Sequence, residues 1–313
     1  MTNTKSRWRL ACIAAAMLST VSVCSAAETI RIAVPTKGYW STAVAMAAQE
    51  KKLFEKEGIQ GEVTIFRSGA DCFQALVADA ADIALGPPSL VAAGMRRGVG
   101  AKVVGIGSSA PLGWHLVVLA KSPVKSVKEL AGKKVGISSS GSLSDLLARW
   151  SMSQSGTQFS TVPLGGGGTT PNLRAGNIDA TVLYSPITYQ LLASGEIRSL
   201  QDYTQDMPRS AVDTWIASEA AIAKRKDTVR KGVKALFAAV AALHADPDYA
   251  IKLIAKNGEL SEEVAKLEYE KTFKNLPAEN KMDLALIDKY LEFARVISDS
   301  EPPPARDIAL PLD

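Results

Sequence analysis

Short β-rich runs alternate with helical stretches along the first two thirds of the chain, and nothing else in the sequence restricts the fold as much. Strands are predicted at residues 29–34, 62–66, 82–85 and 102–106, where β-branched and aliphatic residues cluster between turn residues. Helices are predicted between them: from Ser41 or Thr42 to about Phe54, from the turn at 68–71 to about Ala78, and from the turn at 86–89 to Gly94 or Gly98. Strand–helix–strand units of this length imply a mostly parallel sheet with helices on its faces. The pattern then restarts. A strand over 114–120 carries the chain across, and strands at 135–137, 160–164 and 179–183 alternate with helices over 142–153, 171–175 and from Ser185-Pro186 to Gly195. An internal echo supports two similar halves: Leu76-x-Ala78-x-x-x-Asp82, a strand and Pro88 match Leu173-x-Ala175-x-x-x-Asp179, a strand and Pro186. Residues 211–217 are strand-like and return the chain to the first half. Helices are predicted beyond them at 218–224, 227–245, 247–257, 261–273 and 282–297, before an extended tail at 302–304.

The first residues read differently. Lys5, Arg7 and Arg9 precede an apolar run over 10–23 and the small residues Ser25-Ala26-Ala27, the layout of a cleavable export signal. The run is broken by Ser19, Thr20 and Ser22 and falls short of the roughly 20 apolar residues a membrane span needs. Cleavage would remove three basic and no acidic residues, lowering the formal charge from +4 to +1. A chain that neutral has no electrostatic case for nucleic acid or an anionic membrane surface as partner. Cys12 and Cys24 fall in the leader, and Val23 stands where a lipid-attachment signal wants a small residue. Only Cys72 remains, so no intrachain disulfide and no zinc-like spacing is expected. The expected location is the periplasm.

Catalytic chemistry is poorly supplied. His115 and His244 are the only histidines; His244 ends a helix, and His115 sits beside Trp114 at the crossover. Gly136-Ile137-Ser138-Ser139-Ser140 misses the nucleophile-elbow pattern, Gly165-Gly166-Gly167-Gly168 lacks the lysine of a phosphate loop, and Gly98-Val99-Gly100 has Val103 where a dinucleotide fingerprint needs glycine. What remains is a set of small polar loops at strand carboxyl ends, at 36–41, 68–71, 86–89, 138–142, 165–170 and 184–186, with Trp40 and Tyr184 as aromatic walls. In doubly wound sheets such loops share the edge where ligands bind. In the serine loop, Ser142 and Asp145 have capping-box spacing, so a helix start could present its free N–H groups to an acceptor. An ordinary strand-to-helix turn of small residues is the alternative reading.

Four stretches carry a family resemblance: the run from Ile30 to Glu57-Gly58-Ile59, A-L-V-A-D-A-A-D-I-A at 75–84, S-P-V-K-S-V-K-E-L-A-G-K-K-V-G-I-S at 122–138, and L-R-A-G-N-I-D-A at 173–180. Together they resemble the periplasmic solute-binding proteins of ABC importers, in the nitrate, sulfonate, taurine and thiamine-precursor branch. The resemblance implies an α/β, two-lobed periplasmic-binding-protein type II fold, each lobe a mostly parallel sheet flanked by helices, joined by two hinge crossovers. Residues 1–27 would be the signal peptide, 28–113 with 214–313 the first lobe, and 114–213 the second. The implied ligand shell is Trp40, Ser68, Gly69, Pro88, Ser89, Ser140, Gly141, Ser142 and Tyr184, with Trp114 and Asp213 at the crossovers. Pro88 as a helix starter, Trp114 as hinge packing and Asp213 as a turn cap are the structural alternatives. No catalytic residue, metal or cofactor is implied. The implied function is that of a monomeric extracytoplasmic receptor that captures a small organic anion, a sulfonate or carboxylate, and delivers it to an ABC permease. Arg67 and Lys37 lie near the proposed mouth. Two alternatives stand beside this: delivery to a signalling receptor, and a neutral or aromatic ligand such as a pyrimidine. The pyrimidine-synthesising relatives carry a cysteine cluster that this chain lacks.

Overall fold

The computed structural model describes residues 27–297 and 301–312. The export-signal reading, with Cys12 and Cys24, falls on residues 1–26 and lies outside the described residues. Among the described residues, no helix is long and apolar enough to cross a membrane.

The two sets of strands form two separate sheets. The first contains β1 (Glu28–Pro35), β2 (Ile59–Phe66), β3 (Ile83–Gly86), β4 (Ala101–Ser108) and β10 (Asp213–Ser218), in the order β2-β1-β3-β10-β4. Its central strands are buried on both faces, as β3 shows with four buried residues in succession. That is the burial expected of a sheet covered by helices on each side. β1 pairs in parallel with β2 and β3, whereas β10 runs antiparallel between β3 and β4. The second sheet contains β5 (His115–Leu119), β6 (Lys134–Ile137), β7 (Ser160–Pro163), β8 (Ala180–Leu183) and β9 (Ile197–Asp202), in the order β7-β6-β8-β5-β9. Here β5 is the antiparallel strand. Each sheet therefore has four strands running one way and one opposed, and the opposed strand is the one on which the chain crosses over.

The sequence echo marks equivalent places. Leu76, on helix Gly69–Val77, packs just before β3, and Leu173, on helix Thr169–Arg174, just before β8; both are buried. Two features, β9 and the tail, differ from expectation. β9 was not predicted, because its I-R-S-L-Q-D run is half-exposed at a sheet edge and shows no apolar stripe. The tail, expected to be extended at 302–304, has no regular structure at 301–304 and then makes a helical turn, Ala305–Ile308, and Ala309 bridges to Val103 of β4. The helical run Glu219–Ala245 is broken in the predicted gap at 225–226, where Arg225 leaves the helical geometry at φ −146°, ψ 48° and kinks the run.

That kink is held by an ion cluster. Asp82, at the start of β3, accepts hydrogen bonds from the Arg31 backbone N–H (2.9 Å), from Arg31 Nη2 (2.8 Å) and from Arg225 Nη2 (2.5 Å). Arg225 also donates to the Thr29 carbonyl at 2.7 Å, so one side chain ties the long helix to two strands.

Candidate functional site

The carboxyl ends of β1, β2, β3, β6 and β8 converge on a cleft between the two sheets. The cavity there has about 380 Å³ of empty space. Four helices begin at its wall, and the capping residue of each lines it. Tyr39 precedes helix Trp40–Glu50, Ser68 precedes Gly69–Val77, Pro87 precedes Pro88–Arg96, and Ser142 precedes Leu143–Ser155. Each helix start carries the positive end of its dipole, so four partial positive charges gather at one small volume, although Pro88 brings no N–H and the Asp71 N–H is already taken by Ser68 Oγ at 3.1 Å.

Three aromatic rings gather at the same cavity. Tyr39, Trp114 and Tyr184 form a triangle with centroid separations of 5.4, 5.5 and 5.9 Å. A donor chain threads it: Trp114 Nε1–H donates to Tyr39 Oη at 3.0 Å, and Tyr39 Oη–H donates to Asp213 Oδ2 at 2.6 Å. Burial pushes the Asp213 carboxyl up to about 6, against hydrogen bonds from Tyr39 and Trp40 that hold it down. Burial, with Asp213 beside it, likewise holds the Tyr39 phenol well above its ordinary value, so Tyr39 stays a donor. Burial raises Tyr184 too, while a hydrogen bond with Thr36 opposes this.

The two sheets' loops meet across the cleft. Ser139 Oγ–H donates to Ser68 Oγ at 2.9 Å, and the Gly166 N–H donates to the Arg67 carbonyl at 3.0 Å. Within the serine loop the hydroxyls satisfy one another: Ser142 Oγ–H donates to the Ser139 carbonyl at 2.7 Å, and Ser138 Oγ–H donates to Ser142 at 3.0 Å. Neither half of the expected capping box is made, since the Ser142 N–H donates to the Ser139 carbonyl and not to Asp145. Ser142 gives its helix no side-chain cap, because its hydroxyl points back into the loop, while Asp145 accepts from the Gly141 N–H at 2.9 Å.

Six of the eleven expected site residues line this cavity: Ser68, Gly69, Trp114, Ser142, Tyr184 and Asp213. The other five sit elsewhere. Trp40 is buried one step further into its helix, edge-on to Trp215 with centroids 6.1 Å apart and packed over Gly107. Pro88 starts its helix, and its neighbour Pro87 faces the cavity. Ser89, Ser140 and Gly141 line an adjoining, roomier cavity with Arg96, Arg97 and Arg295. Sequence reasoning missed Pro35, Thr36, Tyr39, Pro87, Ser138 and Leu143. For Tyr39 a signal existed: Trp40 is in helical phase with buried Ala43, Val44 and Ala47, which makes it a core residue and leaves Tyr39 at the mouth.

Neither candidate cation faces the cavity. Arg67 lies outside, beside Asp71 at 3.4 Å, and Lys37 pairs with Glu259. The histidines are internal: His115 Nδ1 is 2.9 Å from Ser199 Oγ, its pKa lowered by burial, and His244 Nε2 is 2.8 Å from the Phe273 carbonyl. Cys72 is buried, which raises its thiol, and among the described residues no group of His, Cys, Asp or Glu is arranged to hold a metal.

Two mixed sheets of matching strand order, with helix starts gathered at a cleft between them, define the periplasmic-binding-protein class of fold. The chain belongs to the NMT1/THI5-like family, whose model matches residues 41–250. A Brucella abortus protein named as a binding protein is 26% identical over 284 residues, which cover 84% of this chain and 86% of the relative. A protein of Escherichia coli K12 named as aliphatic sulfonates-binding is 27% identical over 241 residues, covering 74% and 72%. In fold, the chain is similar to the alkanesulfonate-binding protein SsuA of Xanthomonas axonopodis pv. citri bound to MOPS, with a TM-score of 0.78 at 19% identity over 91% of this chain and 100% of that one. It is also similar to the desulfurization enzyme DSZB, with a TM-score of 0.65 at 18% identity over 91% and 96%.

Proposed function

We propose that the protein is the extracytoplasmic binding component of an ABC importer, capturing a small organic anion between two lobes and delivering it to a membrane permease. In this reading residues 28–113 with 214–313 form one lobe and 114–213 the other, and they close about the crossovers before β5 and β10. The observation that carries it is the convergence of four helix starts on one cavity. Backbone N–H groups at helix starts hold sulfonates and carboxylates without any arginine or lysine. The aromatic triangle would cover the apolar part of the ligand. Binding in place of catalysis is supported by the lining groups: Tyr39 and Tyr184 keep their protons, and Asp213 has no acid–base partner that could accept and return one. The enzyme of this fold noted above makes turnover of any bound ligand the result that would sink this reading.

Asp213 favours a second reading, a neutral heterocycle of the pyrimidine kind that donates to the carboxylate and stacks between the rings. The pH dependence of binding separates the two. Asp213 titrates near 6 in the folded protein, so it is neutral below that value and charged above it. An anion held beside it should bind more weakly as pH rises above about 6, by up to about tenfold per unit while the coupling lasts, whereas a donor heterocycle should gain over the same range. Calorimetry on denatured and refolded protein, with alkanesulfonates, carboxylates and pyrimidines at pH 5 and 7.5, reads out both class and sign. Absence of binding across the panel would count against the cavity as a site for these ligands.

Tyr39→Phe is expected to cost about 1–3 kcal/mol of stability, because it removes the hydroxyl that donates to Asp213 and accepts from Trp114. It should also move the pH midpoint of binding above 6, since the carboxylate loses a donor. An unchanged midpoint would mean that Asp213 does not govern the pH dependence.

A further inference from the structure

One carboxyl far along the chain has no role in the cavity wall itself. Glu268, on helix Glu262–Lys271, has no exposed surface and no ion-pair partner among the described residues. Its Oε1 lies 3.0 Å from Ser185 Oγ, its Oε2 lies 3.1 Å from Thr272 Oγ1, and the two hydroxyl oxygens lie 3.1 Å from each other. Three contacts need three protons. An ionised Glu268 leaves two, one on each hydroxyl, so one contact would bring two oxygens together without a hydrogen. With a proton on the carboxyl the account closes: Glu268 donates to Thr272, Thr272 donates to Ser185, and Ser185 donates back to Glu268.

The ring abuts two segments that supply the aromatic wall. Ser185 follows Tyr184 directly. Gly113, at φ +68°, precedes Trp114 and packs so closely on the ring that a β-carbon there would stand 2.4 Å from Ser185 Cβ and 2.8 Å from Tyr189 Oη. We propose that Glu268 is a positioning residue that acts in its neutral form, its proton completing a ring of three hydrogen bonds that clamps the Tyr184 and Trp114 corners to the C-terminal helical segment. The titratable and charged groups around the ring are Tyr189, Lys271 and Asp202, with His115 and Asp206 beyond. Burial pushes the Glu268 carboxyl up to about 8, although its hydrogen bonds with Ser185 and Thr272 act the other way, in agreement with the proton count. The clamp's bearing on ligand capture rests on the function proposed above; the ring itself does not.

The test uses the purified protein without ligand. Glu268→Gln keeps the shape and supplies a permanent N–H for Thr272, whereas Glu268→Ala removes the ring. Wild-type Glu268 holds a proton in the fold that the unfolded chain releases near the ordinary glutamate value. Its contribution to stability is therefore fully present below about pH 4.5 and is lost as pH rises to about 8. Melting temperatures from pH 5 to 9 should show the Gln variant gaining on wild type by several degrees up to about pH 8, and running parallel above it. Other titrating groups cancel in that difference. Near-ultraviolet circular dichroism of the Gln variant should match wild type at pH 5, and that of the Ala variant should not. Parallel melting profiles throughout, or a Gln variant as disturbed as the Ala variant, would overturn the proposal.

Discussion

Replacing Asp82 with alanine is expected to cost about 3–5 kcal/mol, a fall in melting temperature on the order of 10 °C. The side chain is 1% exposed and answers two arginines and a backbone N–H at once. Removal leaves the guanidinium groups of Arg31 and Arg225 facing each other without the charge between them. Both arginines keep about a third of their surface in water, which places the expected value at the lower end of that range. Burial alone would raise the Asp82 carboxyl, but hydrogen bonds from Arg31 and Arg225 outweigh it and the net shift is downward. A depressed carboxylate stabilises the fold above its unfolded value, about 3.9, and that contribution disappears as pH falls through the folded value. Asp82→Asn should therefore flatten the acid limb of the stability profile as well as lower the whole curve. Thermal melts between pH 2 and 7 check both parts, and a loss under about 1 kcal/mol at pH 7 would show that the cluster contributes little.

Gly166→Val should abolish closure of the cleft. A β-carbon at this position would stand 2.1 Å from Thr36 Cγ2, closer than atoms can approach, and in tight contact at 3.1 Å with the Tyr184 hydroxyl. The Thr36 contact joins a loop of the first sheet to one of the second, so neither sheet is damaged; the loops must separate, and the Gly166 N–H bond to Arg67 is lost with them. Affinity for whichever ligand the calorimetric panel identifies should drop at least about tenfold, because a cleft held open loses the contacts of one wall. Small-angle scattering should report a larger radius of gyration for the variant. An unchanged affinity would show that ligand capture does not need these loops to meet.

Much of the architecture was legible because periodicity reports burial. All strands of the two sheets but β9, the restart after β4 and the Leu76/Leu173 echo follow from apolar residues between turn signals. β9 escaped because an edge strand has one wet side, and Arg198, Ser199 and Gln201 interrupt any stripe. At the cavity, loops were identified more reliably than side chains. The cavity is lined by Tyr39 where Trp40 was expected and by Pro87 where Pro88 was, a difference of a single position, since a loop's direction is set by contacts distant in sequence. Glu268 shows the same limit. It stands in a charged E-Y-E-K run that reads as a solvated face, yet it shares a helical stripe with Val264, Ala265 and Tyr269 and turns inward with them.

The opposed strand in the first sheet has a consequence for how the chain can be made. β4 has β10 as its only neighbouring strand, and β10 lies beyond the whole of the second sheet. A nascent chain can assemble β1, β2 and β3 early, and can build residues 114–202 as an uninterrupted unit. The edge of its first sheet stays unpaired until residue 213 has emerged and threaded back. Docking of β10 is thus a late long-range event, followed by that of the C-terminal segment whose Ala309 bridges to Val103 of β4, and such distant pairings slow folding. A chain truncated before β10 should lose β4 from its sheet while retaining the second sheet in full.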